Sequence, residues 1–206
     1  MNTRATMLPV LCALLMLTAC AKAPTEQIAA AEKAVTEAQQ SGAATYVADE
    51  YAKIEGTMAA LKKEVSDQDG KLVLFRDYGK AEQLAVSAKS DAERVKVVAA
   101  TKKEEAKAAA LQAQQVAQEA VTSTLALVAK APTGKDRAAL ESIKADANAL
   151  KESLNQVQAA IDAADYPAAQ TKAKAIYEKS QAVSQEIKAA LAKIGTRKPS
   201  AVKRKK

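Results

Sequence analysis

Apolar residues recur along this chain at alternating steps of three and four, the spacing that draws one stripe along a helix. Leu140, Ile143, Ala147, Leu150, Leu154, Val157, Ile161 and Ala164 keep it without a fault. Ala169, Ala173, Ile176, Ser180, Val183, Ile187, Ala190 and Ile194 repeat it on the next segment. A stripe this narrow predicts a coiled-coil seam rather than a broad buried face. Between the two stripes lies Ala164-Asp165-Tyr166-Pro167, and a proline is tolerated only in the first turn of a helix. The pattern predicts helices near 136–164 and 166–194, antiparallel because the link is so short.

The same plan recurs earlier. Ile28, Ala31, Val35 and Ala38 form a short stripe, Ser41-Gly42-Ala43-Ala44-Thr45 a turn, and Tyr51, Ile54, Met58, Leu61 and Val65 a second stripe. Gly42 is the residue free to take the left-handed conformation that ends a helix. The expectation is a helix near 24–41 folded back on one beginning near 46. Ser66 to Gly70 reads as a break or kink and Gly79 as another weak point, yet Leu72 and Phe75 keep the register of Val65, so one helix could run through. From Lys80 to Ala131 the pattern is helical. Ala81, Ala85, Ala88, Ala92, Val95, Ala99, Ala106, Ala109, Ala113, Val116 and Ala120 hold the stripe, with Lys102 interrupting. Pro132-Thr133-Gly134 ends this segment, and Thr133 with Asp136 resembles a capping box.

The fold class expected is therefore all-α: elongated antiparallel helical hairpins and a coiled-coil three-helix bundle. The segments are 20–66 (N-terminal hairpin), 67–131 (a long Ala-rich helix), 132–195 (C-terminal hairpin) and 196–206 (a disordered tail). Composition sharpens this. Of 206 residues 50 are alanine, one is phenylalanine, and none is tryptophan or histidine. Alanine favours helix strongly but contributes little burial, which predicts long helices and no deep pocket.

The net charge of +7 sits almost wholly at one end. With Arg4 and the six cations Arg197, Lys198, Lys203, Arg204, Lys205 and Lys206 set aside, 24 basic residues face 24 acidic ones. The folded part is thus neutral, and the basic balance predicts no nucleic-acid face. Chemistry is sparse: no histidine, no Gly-rich phosphate loop, and acids at Asp67, Asp69 and Asp77 whose spacing does not match an EF-hand. The expectation is no enzyme, no cofactor and no metal. The five tyrosines, Tyr46, Tyr51, Tyr78, Tyr166 and Tyr177, lie near helix ends or seams and read as packing plugs.

The first residues carry a different signal. Arg4 is followed by an apolar stretch from Met7 to Leu17, and small residues precede Cys20. That describes a secretory signal over 1–19, too short for the roughly 20 apolar residues of a transmembrane helix. Leu17-Thr18-Ala19-Cys20 resembles the lipobox of bacterial lipoproteins, which implies acylation at Cys20. Cys20 is also the only cysteine outside that signal. Ala21, where an Asp marks inner-membrane retention in enteric bacteria, implies the periplasmic face of the outer membrane. Ala31-x-x-Ala34-Val35-x-x-Ala38-x-x-x-Gly42-Ala43-x-x-Tyr46-x-x-x-x-Tyr51, with Met58 and Leu61, is similar to a family of small Ala-rich bacterial lipoproteins of unknown function over roughly residues 24–110. Val47-Ala48 stand where its members carry Ala-Pro. The resemblance implies an envelope location and no reaction.

These readings converge on a non-catalytic envelope lipoprotein, a membrane-anchored helical spacer or interaction scaffold. Its basic tail would contact anionic lipid or peptidoglycan. Another envelope protein and a homo-oligomer are left open as partners. The terminal Lys206 also superficially resembles that of the murein lipoprotein, which is joined covalently to peptidoglycan. The alternative is a lipid- or amphiphile-binding helical bundle, which narrow seams disfavour.

Overall fold

A computed structural model describes the backbone of residues 22–130 and 137–195, and the side chains of 22–130 and 141–192. All regular structure among them is helical: α1 (Thr25–Gln40), α2 (Ala43–Tyr46), α3 (Ala48–Asp69), a 3-10 turn at Val73–Phe75, α4 (Gly79–Ala129), α5 (Arg137–Asp162) and α6 (Tyr166–Gly195). The protein is all-α. The chain divides into two units, residues 1–103 and 104–206, and α4 contributes to both.

In unit 1, α1 starts behind Pro24, whose carbonyl accepts the Ile28 N–H at 3.0 Å. Glu26 in the first turn meets the positive end of the helix dipole. α1 stops at Ser41 because Gly42 takes φ +92°. A Cβ there would come within 2.9 Å of the Tyr46 ring, so the position requires glycine twice over. One helical turn, α2, follows before Val47 breaks the geometry with φ −144°; the second long helix begins at Ala48, two residues after the expected start. α1, α3 and the first part of α4 close around two apolar clusters. One joins Ala34, Ala38, Ala43, Val47, Tyr51, Ile54, Ala92, Val95 and Ala99. The other joins Ala31, Met58, Leu61, Tyr78, Ala81, Ala85 and Ala88, with Ala23, Ile28, Val65 and Leu84 at its edge. Small side chains from α1 and α4 let their axes approach the larger Ile54, Met58 and Leu61 of α3. Lys96 reaches Glu37 at 2.7 Å and Lys80 reaches Glu64 at 2.9 Å across the helices.

Unit 2 packs α5 and α6 with the second part of α4. Here the expected stripe on α4 is wrong by one position. Ala110, Gln114, Ala117, Val121, Thr124 and Val128 are buried, while Ala109 and Val116 are exposed and Ala113 and Ala120 only partly covered. Two steps of four follow steps of four, after Ala99 and after Ala110, and each rotates the seam away from a strict heptad. The interior positions so reached include polar ones that find partners. Gln114 Nε2 donates to Gln158 Oε1 at 2.8 Å. Thr124 Oγ1 donates to the Ser180 carbonyl at 3.1 Å and lies 2.8 Å from Ser184 Oγ.

α5 and α6 meet along Ala147, Leu150, Val157, Ala169, Ala173, Ile176 and Ile187, as the stripes predict; Leu154 is only partly buried. α5 ends at Asp162, not Ala164. Ala164 sits in the turn at φ 56°, and the Asp165 N–H reaches the Ala160 carbonyl at 2.9 Å in a Schellman closure. Asp165 Oδ1 then accepts the Ala168 N–H at 3.2 Å, and α6 begins at Tyr166 with Pro167 in its first turn. Late in α6 the seam passes to Leu191, leaving Ala190 exposed, and the side chain of Ile194 lies outside the described residues. Tyr51, Tyr78 and Tyr166 are buried plugs, whereas Tyr177 is 38% exposed. The Pro132–Gly134 stop and the Thr133–Asp136 cap also lie outside the described residues.

Candidate functional site

The long helix expected over 67–131 is interrupted. α3 continues to Asp69, the chain leaves it at Gly70, and α4 begins only at Gly79. Leu72 and Phe75, which keep the register of Val65 on paper, therefore join no helix seam. Four consecutive large apolar residues would point to every side of a helix, so no single buried face could take them all. They are displayed instead: Leu72 is 75% exposed, Val73 57%, Leu74 92% and Phe75 70%. The other exposed large apolar residues among those described are single, such as Val86, Leu111 and Val116, or at most the pair Val97–Val98.

This apolar tip rests on a hydrogen-bonded base. Gln68 is 6% exposed, and its Oε1 accepts both the Asp77 N–H at 3.0 Å and Lys71 Nζ at 2.9 Å. Its Nε2 donates to Glu64 Oε1 at 2.8 Å, and the other Glu64 oxygen pairs with Lys80. Arg76 spans the turn, donating from Nε to the Lys71 carbonyl at 3.0 Å and from Nη2 to the Asp69 carbonyl at 2.8 Å. The Tyr78 hydroxyl donates to the Asp69 carboxylate, and Asp77 Oδ1 accepts the Gly79 N–H at 2.9 Å, starting α4. Within the tip, the Phe75 N–H reaches the Leu72 carbonyl at 2.8 Å.

The electrostatics follow from these contacts. The hydrogen bond from Gln68, and then that from Lys80, hold the Glu64 carboxyl below its ordinary value. The Asp69 carboxylate, and then burial, push the Tyr78 hydroxyl up. Asp69 and Asp77 are thus spent on the turn, and Asp67 pairs with Lys63 at 2.6 Å. Among the described residues no three acidic, His or Cys side chains gather as a metal site, and no helix is long and apolar enough to cross a membrane. A cleft of about 440 Å3 between α5 and α6 is lined by Asp146, Leu150, Ser153, Lys172, Ile176 and Lys179, and the Ser153 hydroxyl there donates to the Ala149 carbonyl at 2.8 Å.

The sites expected from sequence, Cys20 and the cations Arg197, Lys198, Lys203, Arg204, Lys205 and Lys206, lie outside the described residues. Sequence reasoning missed the apolar tip. Its signal was present: an unbroken Leu-Val-Leu-Phe run directly after Gly70 that fits no amphipathic period. Compared with protein-family models, curated proteins and solved structures, the chain has no significant match.

Proposed function

We propose that the chain is a non-catalytic envelope lipoprotein, anchored through Cys20 and acting as a helical spacer or interaction scaffold at the periplasmic face of the outer membrane. One observation carries the reading: a basic start, an apolar stretch and Leu17-Thr18-Ala19-Cys20 stand immediately before a chain of helices. Two further facts support it. The seams are narrow and alanine-lined, and the polar groups of the turn bind one another. The test is replacement of Cys20. Cys20→Ala releases the protein from the membrane fraction or leaves its signal uncleaved, and abolishes metabolic labelling with a palmitate analogue. Equal labelling of mutant and parent defeats the proposal.

The six tail cations give the scaffold a polyanion contact, either lipid head groups or the carboxylates of peptidoglycan. A basic segment gains about 1 kcal/mol per Lys or Arg near an anionic surface and loses it with salt. Deleting residues 197–206 then reduces cosedimentation with envelope material, and high salt strips the parent. Retention on sacculi after boiling in detergent, with release only by muramidase, would instead mark covalent attachment through Lys206. A truncated chain that behaves like the parent in both assays removes the tail from the function.

A further inference from the structure

The apolar tip and the start of α1 lie at the same end of unit 1. α1 runs away from that end and α3 returns to it, so the turn at 41–47 lies at the other end, a helix length of about 24 Å away. Ala23 packs at the edge of the cluster that contains Tyr78, the last residue of the 70–78 turn, and Ala81 in the first turn of α4, with Val65 from the last part of α3 at the same edge. Cys20 precedes Ala23 by three residues, at most about 11 Å of chain. An acyl group on Cys20 would therefore hold this end, and not the opposite one, against the lipid.

From this we infer that Leu72, Val73, Leu74 and Phe75 form a wedge that enters the same lipid leaflet as the Cys20 anchor. The inference rests on the proposed lipidation for its orientation. The tip suits a lipid surface in three respects. First, its four side chains are contiguous and outward, and patches of this kind mark interaction sites. Second, the Phe75 and Arg76 N–H groups are already bonded to the Leu72 and Val73 carbonyls, so the tip carries less unsatisfied backbone into an apolar layer. Third, Lys71 and Arg76 bracket the apolar run at its base; each is bonded within the turn yet keeps further N–H donors for head-group phosphates, while Glu64, Asp67, Asp69 and Asp77 are each engaged within the protein. The clamp formed by Arg76 and Gln68 holds the run outward. A single flexible tether leaves a protein free to tumble over the surface. A tether plus a wedge gives unit 1 a defined attitude to the membrane.

The chain has no tryptophan, so Leu74→Trp places one indole at the tip and Thr45→Trp places one at the opposite end of unit 1. Both sites are exposed, and circular dichroism verifies the fold of each variant. The mature full-length proteins are reconstituted into vesicles of phosphatidylethanolamine and phosphatidylglycerol bearing nitroxide-labelled acyl chains. The tip indole should shift its emission to the blue and lose intensity to the nitroxides, and the indole at position 45 should do neither. Quenching at position 74 no greater than at position 45 overturns the inference. A blue shift without quenching also overturns it and assigns the tip to a protein partner or a second copy. Mass spectrometry of the same samples reads Cys20 separately. An acylated Cys20 with an unquenched tip defeats the wedge and leaves the anchor. A bare Cys20 with a quenched tip defeats the anchor and leaves the wedge. A bare Cys20 with an unquenched tip defeats both.

Discussion

Ala164 occupies a backbone conformation that its methyl group resists. A left-handed φ costs a non-glycine residue roughly 1–2 kcal/mol, and the Schellman closure between α5 and α6 holds it there. Ala164→Gly should stabilise unit 2 by about 0.5–1 kcal/mol in urea melts, the strain relieved exceeding the entropy glycine adds to the unfolded chain. Gly42→Ala is the opposite case. With φ +92° and the Tyr46 ring 2.9 Å from the new Cβ, it should destabilise unit 1 by more than about 1 kcal/mol. Tyr78 gives a pH dependence at the same scale. Its hydroxyl is raised by the Asp69 carboxylate and then by burial, and Tyr51 is raised by burial and then by Glu55. Below the ordinary phenol value near 10.0, folded and unfolded chains both keep the proton and the contribution is complete. As the pH rises past it the unfolded chain ionises first, so stability falls until the folded hydroxyls ionise too. The urea midpoint should therefore drop above pH 10, and Tyr78→Phe should make that drop smaller; an unchanged slope would show that Asp69 does not hold the phenol's proton.

At the scale of elements, legibility followed side-chain size. The α5 and α6 seams were readable because Leu150, Val157, Ile176 and Ile187 stand out among polar neighbours, and Pro167 fixed where α6 begins. The second part of α4 was not. From Ala106 to Ala120 alanine stands at several phases of the helix, so counting methyl groups selects no unique face. The true face includes Gln114 and Thr124, which a hydrophobic count rejects and which α5 and α6 accept through hydrogen bonds. The 70–78 turn was misleading for a related reason: Leu72 and Phe75 matched the heptad, while the Gln68 and Arg76 bonds that bend the chain have no periodic signature. Leu150 tests the seam that was legible. It is 5% exposed, and Leu→Ala in a core costs about 2–5 kcal/mol; beside Ala147 and Ala173 the loss should fall at the low end. Lys151→Asp, one position round the helix and exposed, should change the melt by less than about 0.5 kcal/mol. Equal losses at the two positions would displace the α5 stripe.

For the molecule as a whole, each unit is a three-helix packing in which alanine is the commonest buried residue among those described, and α4 belongs to both. Among the described residues, only Ile54, Leu61, Val95, Val121, Val157 and Ile187 are large apolar side chains with 2% exposure or less. Such an interior has a calorimetric consequence. The heat capacity released on unfolding scales with apolar area newly wetted, commonly about 12–15 cal/mol/K per residue, and a methyl group wets little. Scanning calorimetry should give a value below that range. The stability curve would then be shallow: modest at its maximum, slow to fall on either side, and resistant to cold. A protein stabilised in this way trades peak strength for constancy, keeping nearly the same margin across the temperatures through which a cell passes.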